Sequence, residues 1–245
     1  MNASNTVVPL ERSVLAPRPA REIEDLAQLD FARYFDRSTL HQLVAYFTFR
    51  QLSRHGTIYG ADDERDLIYG VVSGHVKILR EDEAGRRVLL DILPPGTIFG
   101  EDALFLSGRR RRAAIAHDMV TVAQISRLTL QQLLGEYPKL YDYFFRTIGE
   151  RLARAEDRIC DLSIDGVGKR LAKVLLDLAA RYGTTQEGGR MLISLRVPHR
   201  ELADLVGSTR ESVTMHLNEL RRHQLVEFSN RRILILNPQS LATRA

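Results

Sequence analysis

Residues 198–223 read P-H-R-E-L-A-D-L-V-G-S-T-R-E-S-V-T-M-H-L-N-E-L-R-R-H, which is the residue spacing of a helix-turn-helix motif. Such a motif needs a small residue where its helices cross, a glycine in its turn and a buried branched residue in its second helix. Ala203, Gly207 and Val213 occupy these three places. The stretch therefore predicts DNA binding, and the alternative is an ordinary helical hairpin with solvated charges.

The second helix of the motif has an apolar face and a polar face. Thr209 is its predicted N-cap, with Ser212 three residues later in place of the Glu of a capping box. Buried positions follow at helical spacing, namely Val213, Leu217 and Leu220. The outward residues predicted to read base edges are Arg210, Glu211, Thr214 and Met215. Those predicted to contact DNA phosphate are His199, Arg200, Thr209, Ser212, Asn218, Arg231 and Arg232.

The composition fits a soluble globular protein of one large or two modest domains. The 245 residues are 44% hydrophobic and 27% charged, and the formal net charge is +4. Residues 196–245 carry eight arginines against five carboxylates, so the positive excess lies near the predicted DNA-binding end. No apolar run reaches the roughly 20 residues of a membrane span, and the Pro-containing start lacks the apolar core of a signal peptide. We therefore expect a cytoplasmic protein with a flexible tail over residues 1–25.

A β-rich segment precedes the motif. Gly74, Gly85 and Gly96 recur at intervals of 11 in turn contexts, between apolar runs at residues 67–72, 76–80 and 86–93. Short strands at even spacing with glycine turns predict an antiparallel meander closed as a barrel, roll or sandwich. We expect it to cover residues 47–126, after a short helix at 38–46.

A long helix is predicted over residues 128–162, with a break near Pro138. Its apolar residues alternate steps of four and three, which is the a/d seam of a coiled coil. The seam consists of Tyr141, Phe145, Ile148, Leu152, Ala155, Ile159 and Leu162. We expect it to form a homodimer, because a two-fold protein matches a palindromic operator.

The segment after this helix predicts a winged helix. The glycines in residues 165–168 suit a hinge. Further elements are predicted as a helix at 169–182, a loop at 183–189, a strand at 191–196 and a hairpin at 226–237 with its turn at 229–230.

This order of elements resembles the bacterial cyclic-AMP receptor protein and fumarate-nitrate regulator (Crp/Fnr) superfamily over about residues 30–237. The motifs that carry the resemblance are G-T-I-F-G-E-D-A-L-F at 96–105, V-A-Q-I-S at 122–126 and V-G-S-T-R-E-S-V at 206–213. The resemblance implies an α+β fold with four segments. These are the tail at 1–25, a cyclic-nucleotide-binding-like β-roll at 26–127, a dimerisation helix at 128–164 and a winged helix-turn-helix domain at 165–245. It also implies double-stranded DNA and RNA polymerase as partners.

The resemblance points to a ligand pocket that departs from the cyclic-AMP-binding pattern. Gly100 and Glu101 match the family, but Asp102 stands where an aliphatic residue is usual, and the expected Arg-Ser-Ala is replaced by an arginine run at 109–112. The pair that reads adenine aligns with Ala155 and Glu156. The candidate pocket consists of Gly100, Glu101, Arg110, Arg111, Arg112, Ala155 and Glu156.

Cyclic AMP is therefore not expected to control the protein. A larger anion such as a cyclic dinucleotide stays open, and a solvated arginine loop is slightly favoured. The resemblance also places a second base-reading arginine where this chain has Met215, which can pack on a thymine methyl.

Other cofactors and catalysis are not expected. An iron-sulfur sensor of the family needs several N-terminal cysteines, and the one cysteine of the chain is Cys160. A haem sensor takes ligands from the region of residues 99–102, which holds neither His nor Cys. The strongest rival is a cupin-like metal enzyme, but His75 and His117 stand 42 positions apart and no phosphate loop or hydrolase motif is present. We predict no catalytic residue, no metal site and no enzyme activity.

Overall fold

The computed structural model describes residues 20–82 and 87–245, which belong to two compact units. The first unit comprises the described residues of Met1–Glu81 together with Ile92–Gly149, and the second those of Asp82–Asp91 with Glu150–Ala245. The predicted limits at 127 and 164 therefore do not coincide with the division between units. The reason is that the long helix contributes its first part to one unit and its remainder to the other.

Short helices open the first unit. They are α1 (Ala20–Ala27), a 3-10 turn (Asp30–Tyr34), α2 (Arg37–Leu43) and a second 3-10 turn (Val44–Tyr46). The helix predicted at 38–46 is thus confirmed. The flexible tail predicted over 1–25 is wrong for residues 20–25, because α1 is amphipathic and buries Ile23 and Leu26. The rest of that predicted tail lies outside the described residues.

Among the described residues up to Ser126, eight strands form two antiparallel sheets. The predicted roll is confirmed, but a simple meander is wrong, because most neighbouring strands are distant in the sequence. The eight strands are β1 (Thr48–Leu52), β2 (Thr57–Tyr59), β3 (Leu67–Ser73), β4 (Val76–Glu81), β5 (Arg87–Leu93), β6 (Ile98–Phe99), β7 (Ala113–Ala116) and β8 (Val120–Ser126). One sheet has the order β1-β8-β3-β6 and the other β2-β7-β4-β5. Gly74 and Gly96 adopt φ of +74° and +93°, so both turn predictions are confirmed, whereas Gly85 lies outside the described residues.

Helices α3 (Arg127–Glu136) and α4 (Lys139–Ile164) follow the last strand. The Ser126 hydroxyl caps α3 by accepting from the Thr129 amide, and the predicted break lies beside Pro138. Phe31, Phe47 and Tyr143 then pack in one aromatic cluster of the core. Among the described residues, no helix combines the length and the apolar character needed to span a membrane.

The second unit has a small sheet among helices. Its further elements are α5 (Val167–Tyr182), β9 (Gly183–Thr185), β10 (Met191–Ile193), α6 (His199–Val206), α7 (Arg210–Arg222), β11 (Val226–Ser229), β12 (Arg232–Ile235) and α8 (Pro238–Ala242). The sheet order is β11-β12-β10-β9. The winged helix is confirmed in its main elements.

Two local predictions in this unit are wrong, and one helix was not predicted. Residues 183–185 form β9 rather than a loop, because they pair with β10 from Gly183 opposite Ile193. The wing turns at Asn230 and Arg231 rather than at 229–230, since these two residues hold the positive φ values of the turn. Helix α8, which buries Leu241, has no counterpart in the sequence prediction.

Candidate nucleic-acid interface and ligand pocket

The turn between α6 and α7 has the geometry that the sequence predicts. Gly207 ends α6 with φ +68°, and the Ser208 amide donates back to the Ala203 carbonyl at 2.9 Å, as in a Schellman motif. The Thr209 hydroxyl accepts from the Ser212 amide at 3.2 Å and caps α7. Both ends of the turn are therefore fixed, and α7 begins at a defined residue.

Burial divides α7 into the two predicted faces. Its inward side chains, all buried, are Val213, Leu217 and Leu220. Its exposed side chains include Arg210, Glu211, Met215 and Asn218. Thr214 and Ser212 are only half-buried and lie at the border between the faces. An exposed face with a guanidinium, a carboxylate and a thioether can contact several base types.

His199 and Thr214 contact each other. The His199 Nδ1 lies 3.0 Å from the Thr214 hydroxyl, and the His199 ring lies 5.9 Å from the Phe228 ring. Burial lowers the pKa of His199, and the charge of Arg210 lowers it further. The neutral ring joins the start of α6 to the middle of α7, a structural role that the sequence prediction of a phosphate contact missed.

The predicted phosphate contacts of the wing differ in exposure. Arg231 is exposed at the turn with φ +63°, whereas Arg232 is half-buried at the start of β12. Arg200, in the first turn of α6, is exposed as well. Arg200 and Arg231 are therefore accessible to an anionic backbone.

Two arginines hold the carboxyl end of α6. Arg158, on α4, donates to the carbonyls of Asp204 and Leu205 at 3.0 and 2.8 Å. Arg170, on α5, donates to the carbonyls of Val206 and Gly207 at 2.9 and 3.2 Å, and to the Asp165 carbonyl at 2.5 Å. A cation at a helix carboxyl end meets the negative end of the helix dipole. Sequence reasoning missed both residues, since their acceptors are backbone atoms.

The junction of α4 and α5 is an ion cluster. The Lys173 ammonium lies 2.5 Å from an Asp161 oxygen and 2.8 Å from an Asp165 oxygen. The hydrogen bond that Lys173 donates to Asp161 raises the pKa of Lys173. The hydrogen bond that Lys173 donates to Asp165 lowers the pKa of Asp165. Leu162, predicted in the seam, lies against the turn, because a Cβ added to Gly207 would stand 2.5 Å from its Cδ2.

The candidate ligand pocket of the first unit contains a buried guanidinium. Arg110 is 3% exposed, lies 4.0 Å from the Tyr59 ring centroid and donates to the Leu67 carbonyl at 2.5 Å. The solvated interpretation of the arginine run is therefore wrong for Arg110, whereas Arg111 is exposed. Burial raises the pKa of Tyr59 to about 12.

Asp102 stands at the centre of this pocket. Its carboxylate lies 3.3 Å from Arg65 Nε, 3.5 Å from Arg110 Nη1 and 3.5 Å from Arg112 Nη2. Gly100 closes the pocket with φ +74°, where an added Cβ would lie 3.1 Å from Arg110 Nη1.

The remaining predicted pocket residues are distributed unevenly. Glu101 is buried beside Asp102. Ala155 and Glu156 are exposed on α4, in the second unit. The structure thus brings Gly100, Arg110 and Arg112 together around Asp102. The sequence pattern had not assigned Arg65 to this cluster.

The two histidines weighed for a metal enzyme lie side by side, although they were expected to stand alone. Their ring centroids are 6.2 Å apart, because β4 and β7 are paired, and His75 Nδ1 lies 2.7 Å from an Asp118 oxygen. Burial lowers the pKa of His117 to about 4. Within residues 20–82 and 87–245, no group of three or more His, Cys, Asp or Glu side chains is arranged to hold a metal ion.

Comparison with known proteins agrees with both units. A model of the cyclic nucleotide-binding domain matches residues 49–137, and a model of the Crp-like helix-turn-helix domain matches residues 169–244. The CRP-like cAMP-activated global transcriptional regulator of Mycobacterium tuberculosis is 33% identical over 192 residues, which cover 78% of this chain and 85% of the relative.

Solved structures give the same result. FixK2 from Bradyrhizobium japonicum has a TM-score of 0.69 at 28% identity and covers 80% of this chain and 96% of its own. The c-di-GMP responsive global regulator CLP of Xanthomonas campestris has a TM-score of 0.72 at 24% identity, which supports the fold, and covers 82% of this chain and 100% of its own. From the two domain matches and the Mycobacterium relative, we conclude that this chain belongs to the Crp/Fnr family of transcription regulators.

Proposed function

We propose that this regulator works as a homodimer that reads a palindromic operator with α7. The observation that carries the proposal is the division of α7 into an exposed face with Arg210, Glu211 and Met215 and a buried face with Val213 and Leu217. An arginine donates to guanine O6 and N7, and a glutamate accepts from cytosine N4. Each subunit then recognises one half-site through these side chains.

The apolar stripe of α4 supports the homodimer. Five predicted seam residues are large apolar side chains that are 43–65% exposed in the single chain, namely Tyr141, Phe145, Leu152, Ile159 and Leu162. A second copy with the same stripe would cover them by coiled-coil packing. Two recognition helices related by a two-fold axis then require half-sites about 34 Å apart.

Cyclic AMP does not control operator binding in this proposal. The pocket holds a carboxylate, Asp102, among its arginines, and Ala155 and Glu156 replace the pair that would read adenine. The Mycobacterium relative is a cAMP-activated regulator, so the two proteins should differ in their response to cyclic AMP, and this difference can be measured. Titration calorimetry should detect no cyclic AMP binding, and operator affinity should be equal with and without it. Cyclic di-GMP, the nucleotide to which the regulator CLP responds, is the second ligand to be titrated.

The proposal places the protein in the cytoplasm, with DNA and RNA polymerase as its partners. It assigns the chain no enzyme activity, no haem and no iron-sulfur cluster. The similarity to a global transcriptional regulator supports DNA and RNA polymerase as partners. The single cysteine of the sequence, Cys160, supports the lack of an iron-sulfur cluster. Operator DNA loaded with this protein should retain purified RNA polymerase more strongly than operator alone.

Selection of bound sequences from random DNA tests the central proposal. Arg210→Ala should cost about 1 to 3 kcal/mol per half-site and relax the preference at one base pair. The exposed wing residue provides the matched control, because Arg231→Ala should weaken all sequences alike and flatten the salt dependence. If both variants lose affinity uniformly without a change in base preference, α7 is not the reading helix.

A further inference from the structure

The pocket of the first unit concentrates positive charge in a buried place. Arg65 is 8% exposed and Arg110 is 3% exposed. The side chain of Arg112 is 42% exposed, and its Nη2 lies 3.5 Å from an oxygen of Asp102, as the other two guanidinium groups lie close to that carboxylate. Removing a guanidinium from water is costly unless an anion stands beside it. An anion is therefore required beside the two buried guanidinium groups, Arg65 and Arg110.

Asp102 supplies that anion, but it satisfies the arginines incompletely. Its oxygens lie 3.3–3.5 Å from the three guanidinium groups, whereas charge-assisted hydrogen bonds usually measure about 2.7–2.9 Å. Within residues 20–82 and 87–245, Arg65 Nε and Arg110 Nη1 find no hydrogen-bond partner, although both are buried and lie 3.3 and 3.5 Å from the carboxylate. The cradle is thus wider than a carboxylate and has donors left over for an anion with more oxygens.

The arginines are positioned by contacts that do not involve Asp102. Arg65 donates to the Ser107 carbonyl at 2.7 Å. Arg110 stacks on Tyr59 and donates to the Leu67 carbonyl. Removal of the carboxylate would therefore leave two fixed guanidinium groups facing the place that Asp102 occupied.

We propose that Asp102 is a built-in substitute for an external oxyanion, and that a phosphate group binds this cradle once the carboxylate is removed. In the native chain the carboxylate keeps the site filled and excludes such a ligand. The inference rests on the proposed independence from cyclic AMP and gives it a physical cause. It concerns the first unit, so it can be tested apart from DNA binding.

The experiment compares the full chain with Asp102→Asn and Asp102→Ser in chloride buffer. Inorganic phosphate is the first probe and cyclic AMP the second, with calorimetric titration and thermal unfolding as readouts. Both variants should bind phosphate at least about tenfold more tightly than the native chain. Their melting temperature should rise by several degrees in phosphate, because a ligand that binds only the folded state stabilises it. The cyclic AMP arm shows whether the cradle accepts a phosphodiester or only the free ion.

Two further variants control the result. Asp62→Asn makes the same carboxylate-to-amide change at an exposed residue with φ +72°, a conformation that Asn tolerates, and should behave like the native chain. Adding Arg112→Gln to Asp102→Asn should remove most of the gained affinity, since it deletes one of the three cations.

The inference is overturned if both Asp102 variants bind phosphate no better than the native chain. It is also overturned if both variants are unfolded in chloride and phosphate does not restore their folding. Native protein that binds cyclic AMP and gains operator affinity would instead refute the proposed ligand independence. If the Asp102 variants bind no phosphate and the native chain does not respond to cyclic AMP, only the inference about Asp102 is refuted and the proposed function stands.

Discussion

Gly207→Ala should destabilise the second unit, because this residue holds a left-handed backbone at the turn of the DNA-binding motif. Its φ is +68° and its ψ +50°. An alanine in this conformation costs about 1–2 kcal/mol. The new Cβ would also lie 2.5 Å from Leu162 Cδ2, and since Leu162 is 46% exposed, its side chain can rotate away at the loss of that contact.

Two further terms complete the net change in the free energy of unfolding. Displacing Leu162 costs about 1 kcal/mol, as overpacking usually does. The lower entropy of the unfolded alanine chain returns about 0.4–1 kcal/mol. The free energy of unfolding should therefore fall by about 1–2.5 kcal/mol, which corresponds to a melting temperature roughly 4–12 °C lower for a unit of this size. Operator affinity should fall with it, because the turn sets the start of α7.

Differential scanning calorimetry and operator titration provide the measurement. Gly135→Ala is a control of opposite sign, since Gly135 lies in α3 and an added Cβ would meet no atom of the described residues within 4 Å. It should stabilise by about 0.5–1 kcal/mol. Gly207→Asn should recover part of the loss, because Asn tolerates the left-handed region. A Gly207→Ala protein that melts at or above the native temperature would refute the reasoning.

Three further predictions concern the seam, acid stability and base reading. Leu152→Glu places a charge on the apolar stripe of α4, at a cost of several kcal/mol to the dimer, and a variant that sediments as an unchanged dimer would contradict the seam. Burial keeps His117 neutral in the folded state, with its pKa lowered to about 4 from 6.5, so stability should decrease by about 2–3 kcal/mol as the pH falls from 6.5 to 4. His117→Gln should flatten that dependence in urea unfolding at pH 7 and 4.5, and an equally steep variant would assign it to other groups. Met215→Arg should shift one selected base toward guanine and leave the rest of the operator unchanged, whereas a shift at every position would argue against a direct contact.

The main elements were predictable because their signals are local. The turn glycines Gly74 and Gly96 adopt positive φ, and Gly207 does the same between α6 and α7. The heptad pattern of α4 and the cap at Thr209 likewise depend on residues within a few positions of one another. Local steric and capping rules suffice for such features.

The parts that could not be predicted depend on partners distant in sequence. Arg110 belongs to a local run of four arginines, which favours solvent, yet the Tyr59 ring and the Leu67 carbonyl bury it. His75 and His117 are brought together only by strand pairing. Strand β9 and the burial of Ile23 also require tertiary contacts. No periodicity of the sequence reports such juxtapositions.

The hydrogen bonds from Arg170 to backbone carbonyls should couple the opening of the start of α5 to the opening of the end of α6. This single side chain donates to acceptors that lie 5, 36 and 37 positions away in the sequence. When the last turn of α6 frays, the guanidinium loses two acceptors, and when α5 detaches, the carbonyls of Val206 and Gly207 lose their donor. The amides of α5 and α6 should therefore exchange with solvent hydrogen through one common opening rather than through independent fraying, so the motif that contacts DNA has the local stability of the helix behind it.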